Sequence, residues 1–218
     1  MSCLGIDLAG STTRPTGMCL LDEGLNARTW LAYSDEEIVD AASELRPSII
    51  AIDAPLSLPL GRRSLDDRDG PHLRDCDKAL KALGIRFLPV TLGPMRALTA
   101  RGIRLKSILE GRGFTVIEVY PGGAQDVLGI PRKTVSLTLL REGLEKLGVK
   151  GLRADATADE LDAVTAALVG MFYLRGTAVV LGGRDGAIVM PPFDPKPRRA
   201  TRGRSRASAG RKPARQSS

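Results

Sequence analysis

The chain has 218 residues, enough for one sizeable core, and its 43% apolar content and mean hydropathy of −0.05 are those of a globular protein. No apolar run nears the roughly 20 residues of a membrane span, and the strand-like segment starting at Cys3 leaves no room for a signal peptide. The formal charge of +7 misdescribes the body, because residues 196–218 hold nine of the 32 basic residues and none of the 25 acidic ones, leaving −2 for the rest.

Residues 3–9 and 17–22 read as short apolar strands, separated by Gly, Ser, Thr and Pro turn material. A turn at 22–24 leads into a third strand at 27–33. Ser34, with Glu37 three residues on, predicts a capping box and a helix carrying Ile38, Ala41, Ala42 and Leu45 on one face, stopped by Pro47. The continuous apolar run 48–56 fits a strand buried on both faces. An arginine- and turn-rich insertion follows at about 56–113, with helices expected in "CDKALKALG" and "GPMRALTARGIRLKSILEGRG". Residues 114–120 resume as a core strand that stops at Pro121-Gly122-Gly123. Residues 136–148 predict an amphipathic helix. Residues 157–176 predict another, opened by a Thr157–Glu160 capping box and closed by Gly176. A hairpin turning at Gly183 to Gly186 ends the pattern.

Three antiparallel strands, a helix and then further strands and helices make an α/β layout with a mixed sheet, the element order of an RNase H-like fold. A single domain is expected over 1–195, with the insertion on its sheet. The 196–218 tail has no aromatic, Leu, Ile or Val. It reads as a disordered basic arm, whose charge would serve either solubility or polyanion binding by counterion release. Cys3, Cys19 and Cys76 are scattered and lack zinc spacing, so reduced thiols in a cytoplasmic protein are expected.

Acidic residues stand where acids are costly. Asp7 and Asp53 end the apolar runs "LGID" and "SIIAID", and Glu118 lies inside "FTVIEVY". Asp159 and Asp162, three apart at the start of the last long helix, share one face, which continues through the small residues Ala163, Ala166 and Gly170. That face would let the helix lie close to a sheet and bring both carboxylates to the strand ends. Acids in a first helical turn are also favoured by the helix dipole alone, and Glu160 has a sufficient task in the capping box. Together the acids match magnesium or manganese chemistry, in which hard oxygen ligands hold ions that activate water and neutralise a leaving oxygen. One histidine and no cysteine pairs speak against zinc, and His72 reads as a surface residue.

The segments "GIDLAGS…RPTG", "AIDAPLSLP", Arg74 to Asp77, "IEVYPGGAQDVLGIPRK" and "DELDAVTAALVG" resemble an uncharacterised prokaryotic family of predicted nucleases with an RNase H-like fold. The acid pattern is similar to that of RuvC-type Holliday-junction resolvases. The resemblance implies a metal-dependent nuclease acting by a two-metal mechanism, with Asp7, Asp53, Asp159 and Asp162 as Mg2+ or Mn2+ ligands and Glu118 as an auxiliary ligand or orienting acid. The resolvases usually carry glutamate where this chain has Asp53; Glu118 is a strand acid their pattern does not require, and the insertion at 56–113 is a further departure.

Two other readings remain. A non-catalytic nucleic-acid-binding or scaffold protein would use the insertion's Arg62, Arg63, Arg74, Arg96, Arg101 and Arg104 to line a groove for phosphate backbone. Those arginines would equally well pair with the neighbouring aspartates. An ATP-dependent phosphotransferase of the actin and sugar-kinase type shares the "D-x-G-[ST]" loop. Here, however, Ala9 replaces the glycine, and no second copy of the core follows.

Overall fold

The computed structural model describes residues 1–11 and 13–194, and the basic tail expected at 196–218 lies outside them. The first three apolar runs pair as a meander. β1 (Ser2–Asp7) is antiparallel to β2 (Thr16–Asp22), and β2 is antiparallel to β3 (Ala27–Ala32). The Asp22 carboxylate holds the β2–β3 turn, accepting from the Asn26 backbone N–H at 2.9 Å and from the Asn26 amide.

In α1 (Asp35–Leu45), the Ser34 hydroxyl accepts the Glu37 N–H at 3.1 Å, as the capping pattern predicts. The Glu37 carboxylate reaches one residue further back than a capping box requires, to the N–H of Tyr33 at 2.7 Å. Arg46 in the left-handed region and Pro47 end the helix. β4 (Ile49–Asp53) then pairs parallel to β1, with its first four residues buried.

α2 (Asp75–Ala82) and α3 (Gly93–Gly111) follow, then β5 (Val116–Val119), parallel to β4. α3 is more than decoration on the sheet. Parallel neighbours need a crossover connection, and α3 supplies it, burying Leu105 and Leu109 against the sheet. The strand does stop at Pro121, but a helix the sequence reading did not anticipate, α4 (Pro121–Leu128), begins there. Proline suits a first helical position because its missing N–H would go unused.

α5 (Leu137–Lys146) and α6 (Ala158–Leu174) match their predicted helices, and α6 opens with the expected Thr157–Glu160 capping box. β6 (Val179–Gly182) and β7 (Ala187–Met190) form the final hairpin.

The strands make one sheet in the order β3-β2-β1-β4-β5-β7-β6. A meander on one side of β1 and parallel strands on the other give an RNase H-like α/β fold. α1 and α3 cover one face over Leu4, Ile6, Ile50 and Ile52. α6 covers the other over Cys3, Cys19 and Ala51, and α4 and α5 pack on α6 in turn, so it is buried from Glu160 to Met171.

The α6 contact is close because small residues meet there. A Cβ on Gly5 would fall 2.1 Å from the Ala163 carbonyl oxygen, and one on Gly170 would fall 2.2 Å from Cys3 Sγ. All three cysteines are free and buried. Among the described residues no helix is long and apolar enough to cross a membrane.

Candidate active site

Register sets the site. Asp7 ends β1, Asp53 ends β4, and the two are direct partners across the parallel pair. They stand side by side at the carboxyl ends of the strands, where open α/β sheets bind ligands. The close seat of α6 brings its first turns to the same place, and a Cβ on Gly17 of β2 would lie only 2.1 Å from the Asp159 carbonyl oxygen.

The connection between these elements is one cation. The Lys133 ammonium lies 3.2 Å from Asp7 Oδ2, 3.3 Å from Asp159 Oδ1 and 2.8 Å from Asp162 Oδ2. The other Asp162 oxygen accepts from Gln125 Nε2 of α4 at 2.7 Å, and Gln125 also donates to Thr165 Oγ1 at 3.1 Å. Asp162 is therefore held from two sides. The side chains of Asp7 and Asp162 are 12% and 7% exposed and that of Asp159 38%, so Asp159 is the member that faces solvent. A small polar cleft opens here, lined by the turn after β1, Arg14, Lys133 and Asp159.

The electrostatics follow from burial. Loss of solvent pushes the Asp7 carboxyl up to about 7; Lys133 opposes that rise, and Asp162 and Asp159 add to it. Asp53 is held well above the carboxylate range by burial first and by the nearby Asp7 and Asp162 second. Burial works against the Lys133 ammonium, but Asp7 and Asp162 outweigh it and raise its pKa. The cluster thus has more potential negative charge than one ammonium neutralises.

In kind, these donors fit a hard divalent ion, since all four offer carboxylate oxygens and three of them already draw a cation among them. In placing, no three His, Cys, Asp or Glu side chains among the described residues are gathered to grip an ion as they stand. The ammonium has three of the aspartates arranged around itself.

Glu118 does not join the acids around Lys133, although its charge adds to the rise in the Asp53 pKa. It pairs with Ile52 rather than Asp53, and alternation turns it to the opposite face of the sheet. There Arg74, at the N-cap of α2, donates to both Glu118 oxygens at 2.7 Å, and the Leu56 N–H adds a bond at 2.8 Å. Arg74 also pairs with Asp77 at 2.9 Å, which makes the group a buried charged network. Burial raises the Glu118 pKa despite Arg74.

The six arginines expected to line a groove divide. Arg62, Arg74 and Arg101 are buried. Arg62 donates to the carbonyls of Asp67, Gly70 and Pro71 at 2.6–2.7 Å and so folds the insertion around itself. Arg101 ties Asp35 to the Ala9 carbonyl at 2.7 and 2.6 Å. Burying a guanidinium demands such partners, and among these donors Arg101 Nη2 is buried without one. Arg63 and Arg104 are exposed, Arg96 is partly so, and Arg96 and Arg104 pair with Asp66 and Asp35. His72 is exposed and bonds Thr91 Oγ1 at 2.8 Å.

Sequence reasoning missed Lys133 and Gln125. The signal for Gln125 was available: Pro121 as a helix start and Gly129 as a left-handed cap frame α4. For Lys133, one lysine in a turn carries no periodic signal.

Two solved structures are similar to this chain. "T. thermophilus RuvC in complex with Holliday junction substrate" is 15% identical, covering 81% of this chain and 98% of that one with a TM-score of 0.46. "Thermus thermophilus RuvC structure" is 13% identical over the same shares, with a TM-score of 0.45. No curated protein matches. A family profile matches residues 5–187, and the chain belongs to that family, described as "Protein of unknown function (DUF429)".

Proposed function

We propose that this protein is a nuclease that hydrolyses nucleic-acid phosphodiester bonds with Mg2+ or Mn2+. The observation that carries the reading is the pairing of Asp7 with Asp53 on adjacent strands beneath the Asp159–Asp162 face of α6. These four aspartates would hold the metal, which when bound supplies an activated water and neutralises the leaving oxygen.

The chain's own groups have separable tasks. Asp7 and Asp53 give buried carboxylates whose ionisation depends on a nearby cation. Gln125 fixes the direction of Asp162. Asp159, the exposed member, lies on the side from which a substrate approaches, and Arg14 lines the same cleft. Glu118 serves as an orienting acid on the far face, holding Arg74 and the Leu56 backbone. Arg63, exposed at the surface, would be available to the phosphate backbone, whereas Arg104 is engaged with Asp35.

The test is cleavage of end-labelled branched, duplex and single-stranded DNA and RNA, with Mn2+, Mg2+ or EDTA, by wild type and Asp7→Asn. Metal-dependent cleavage, reduced roughly 100-fold or more in the variant, is expected, the usual size of effect for removing an electrostatic stabiliser. Equal cleavage by both proteins overturns the reading. The pairing of three acids with Lys133 favours a second one, a nucleic-acid-binding scaffold whose acids are structural. Salt-sensitive binding without cleavage of any substrate is its signature.

A further inference from the structure

Lys133 lies outside the regular elements, in a turn closed by the Val135 N–H on the Arg132 carbonyl at 2.9 Å. The root of that turn is anchored. Arg132 donates to both Asp126 oxygens at 2.9 and 2.6 Å and to Tyr120 Oη at 3.2 Å, tying the segment to α4. Beyond this root only the four-carbon stem is free, and it delivers the ammonium to three carboxylates from two different elements.

An ordinary exposed lysine pair contributes little to stability and has no reason to collect three partners. The Lys133 side chain is about two-thirds covered, and Asp53 stands one strand from Asp7 as a further acid of the same cluster. The ammonium stands among the carboxylates of Asp7, Asp159 and Asp162, which would help to hold a divalent ion.

We propose that Lys133 is the resident counter-cation of the acid cluster, and that a divalent ion enters only by displacing its ammonium. The inference rests on the metal reading of the same site and adds a competitor to it. A site that is occupied for most of the time binds an ion more weakly, in proportion to the fraction that is open. The stem lets the displaced ammonium swing into the cleft shared with Arg14, so the charge need not be buried elsewhere.

The test is calorimetric titration of Mn2+ into the metal-free full chain, for wild type, Lys133→Met, Lys133→Gln and Lys133→Arg, with a thermal melt of each with and without Mn2+. Lys133→Met and Lys133→Gln are expected to bind Mn2+ roughly tenfold or more tightly than wild type. Without the ion they melt lower, and with it they recover. Lys133→Arg, which keeps a cation, stays near wild type. If one neutral variant fails to fold without Mn2+ but folds with it, that too supports the displacement.

Equal or weaker Mn2+ binding by the neutral variants overturns the proposal, and so does the absence of binding heat in all four proteins. Cleavage plays no part in the readout. Tighter Mn2+ binding by the neutral variants, with no nucleic acid cleaved by any protein, would therefore uphold the displacement and remove the nuclease reading.

Discussion

At Asp7 a carboxyl ends a strand with 12% of its side chain exposed, and burial lifts its pKa to about 7. Below pH 4 this group is protonated in both the folded and the unfolded chain. Between pH 4 and 7 the unfolded chain ionises it and the folded one resists, so stability drains away as pH rises through 7. Asp53 and Glu118, raised in the same direction, add to that fall. Urea titrations in EDTA should therefore find the protein less stable at pH 8 than at pH 5. Asp7→Asn should flatten the difference and gain about 2 kcal/mol at pH 8 over wild type. A wild type more stable at pH 8 than at pH 5 would contradict the burial argument. Asp7 and Asp53 were legible in sequence because an acid that closes an apolar run violates its surroundings. Lys133 was not, since a lysine in a polar turn violates nothing, and only folding shows what it reaches. Glu118 was visible as an anomaly, but its face depended on the β4–β5 register, which a single strand's sequence does not contain.

The elements position these groups through one helix. α6 was legible throughout, from its capping box to its small-residue face, because each signal is local. α4 was hidden: Pro-Gly-Gly reads as a stop, although the same proline opens a helix whose Gln125 steadies Asp162. The place of β7 between β5 and β6 was equally hidden, since pairing across a hairpin edge is a tertiary choice. The closeness of α6 to the sheet makes a sharper demand than any of these. A Cβ on Gly17 would meet the Asp159 carbonyl oxygen at 2.1 Å and its carbonyl carbon at 2.3 Å, and backbone cannot step aside cheaply. Gly17→Ala should cost about 1–3 kcal/mol by overpacking and should weaken Mn2+ binding by tilting Asp159 and Asp162 away from Asp7. Gly10→Ala is the control, because its Cβ would meet Leu98 at an ordinary 3.6 Å. Thermal melts and Mn2+ calorimetry should separate the two. Equal behaviour of the two variants would show that the helix seat does not set the site.

For the whole molecule, the charge is divided between two parts of the sequence. Every strand of the sheet and every residue named in the site falls before residue 191, and the body carries −2. The nine basic residues of 196–218 are the chain's concentrated source of positive charge, while Arg62, Arg74 and Arg101 are buried inside the body. Affinity for a polyanion should then reside mainly in the tail, and chemistry in the body. A chain ending at Asp194 should melt at the same temperature as the full chain and bind Mn2+ equally well. Its affinity for duplex DNA should fall, and so should the steepness with which log K declines with log salt, because each phosphate contact contributes about 0.9 to that slope. Fluorescence anisotropy of a labelled duplex between low and physiological salt measures both quantities. Unchanged affinity and slope would move the nucleic-acid surface back onto the body, where Arg14 and Arg63 are among the exposed cations to remove next. Loss of Mn2+ binding on truncation would instead mean that the tail reaches the acid cluster, and the division of tasks would fail.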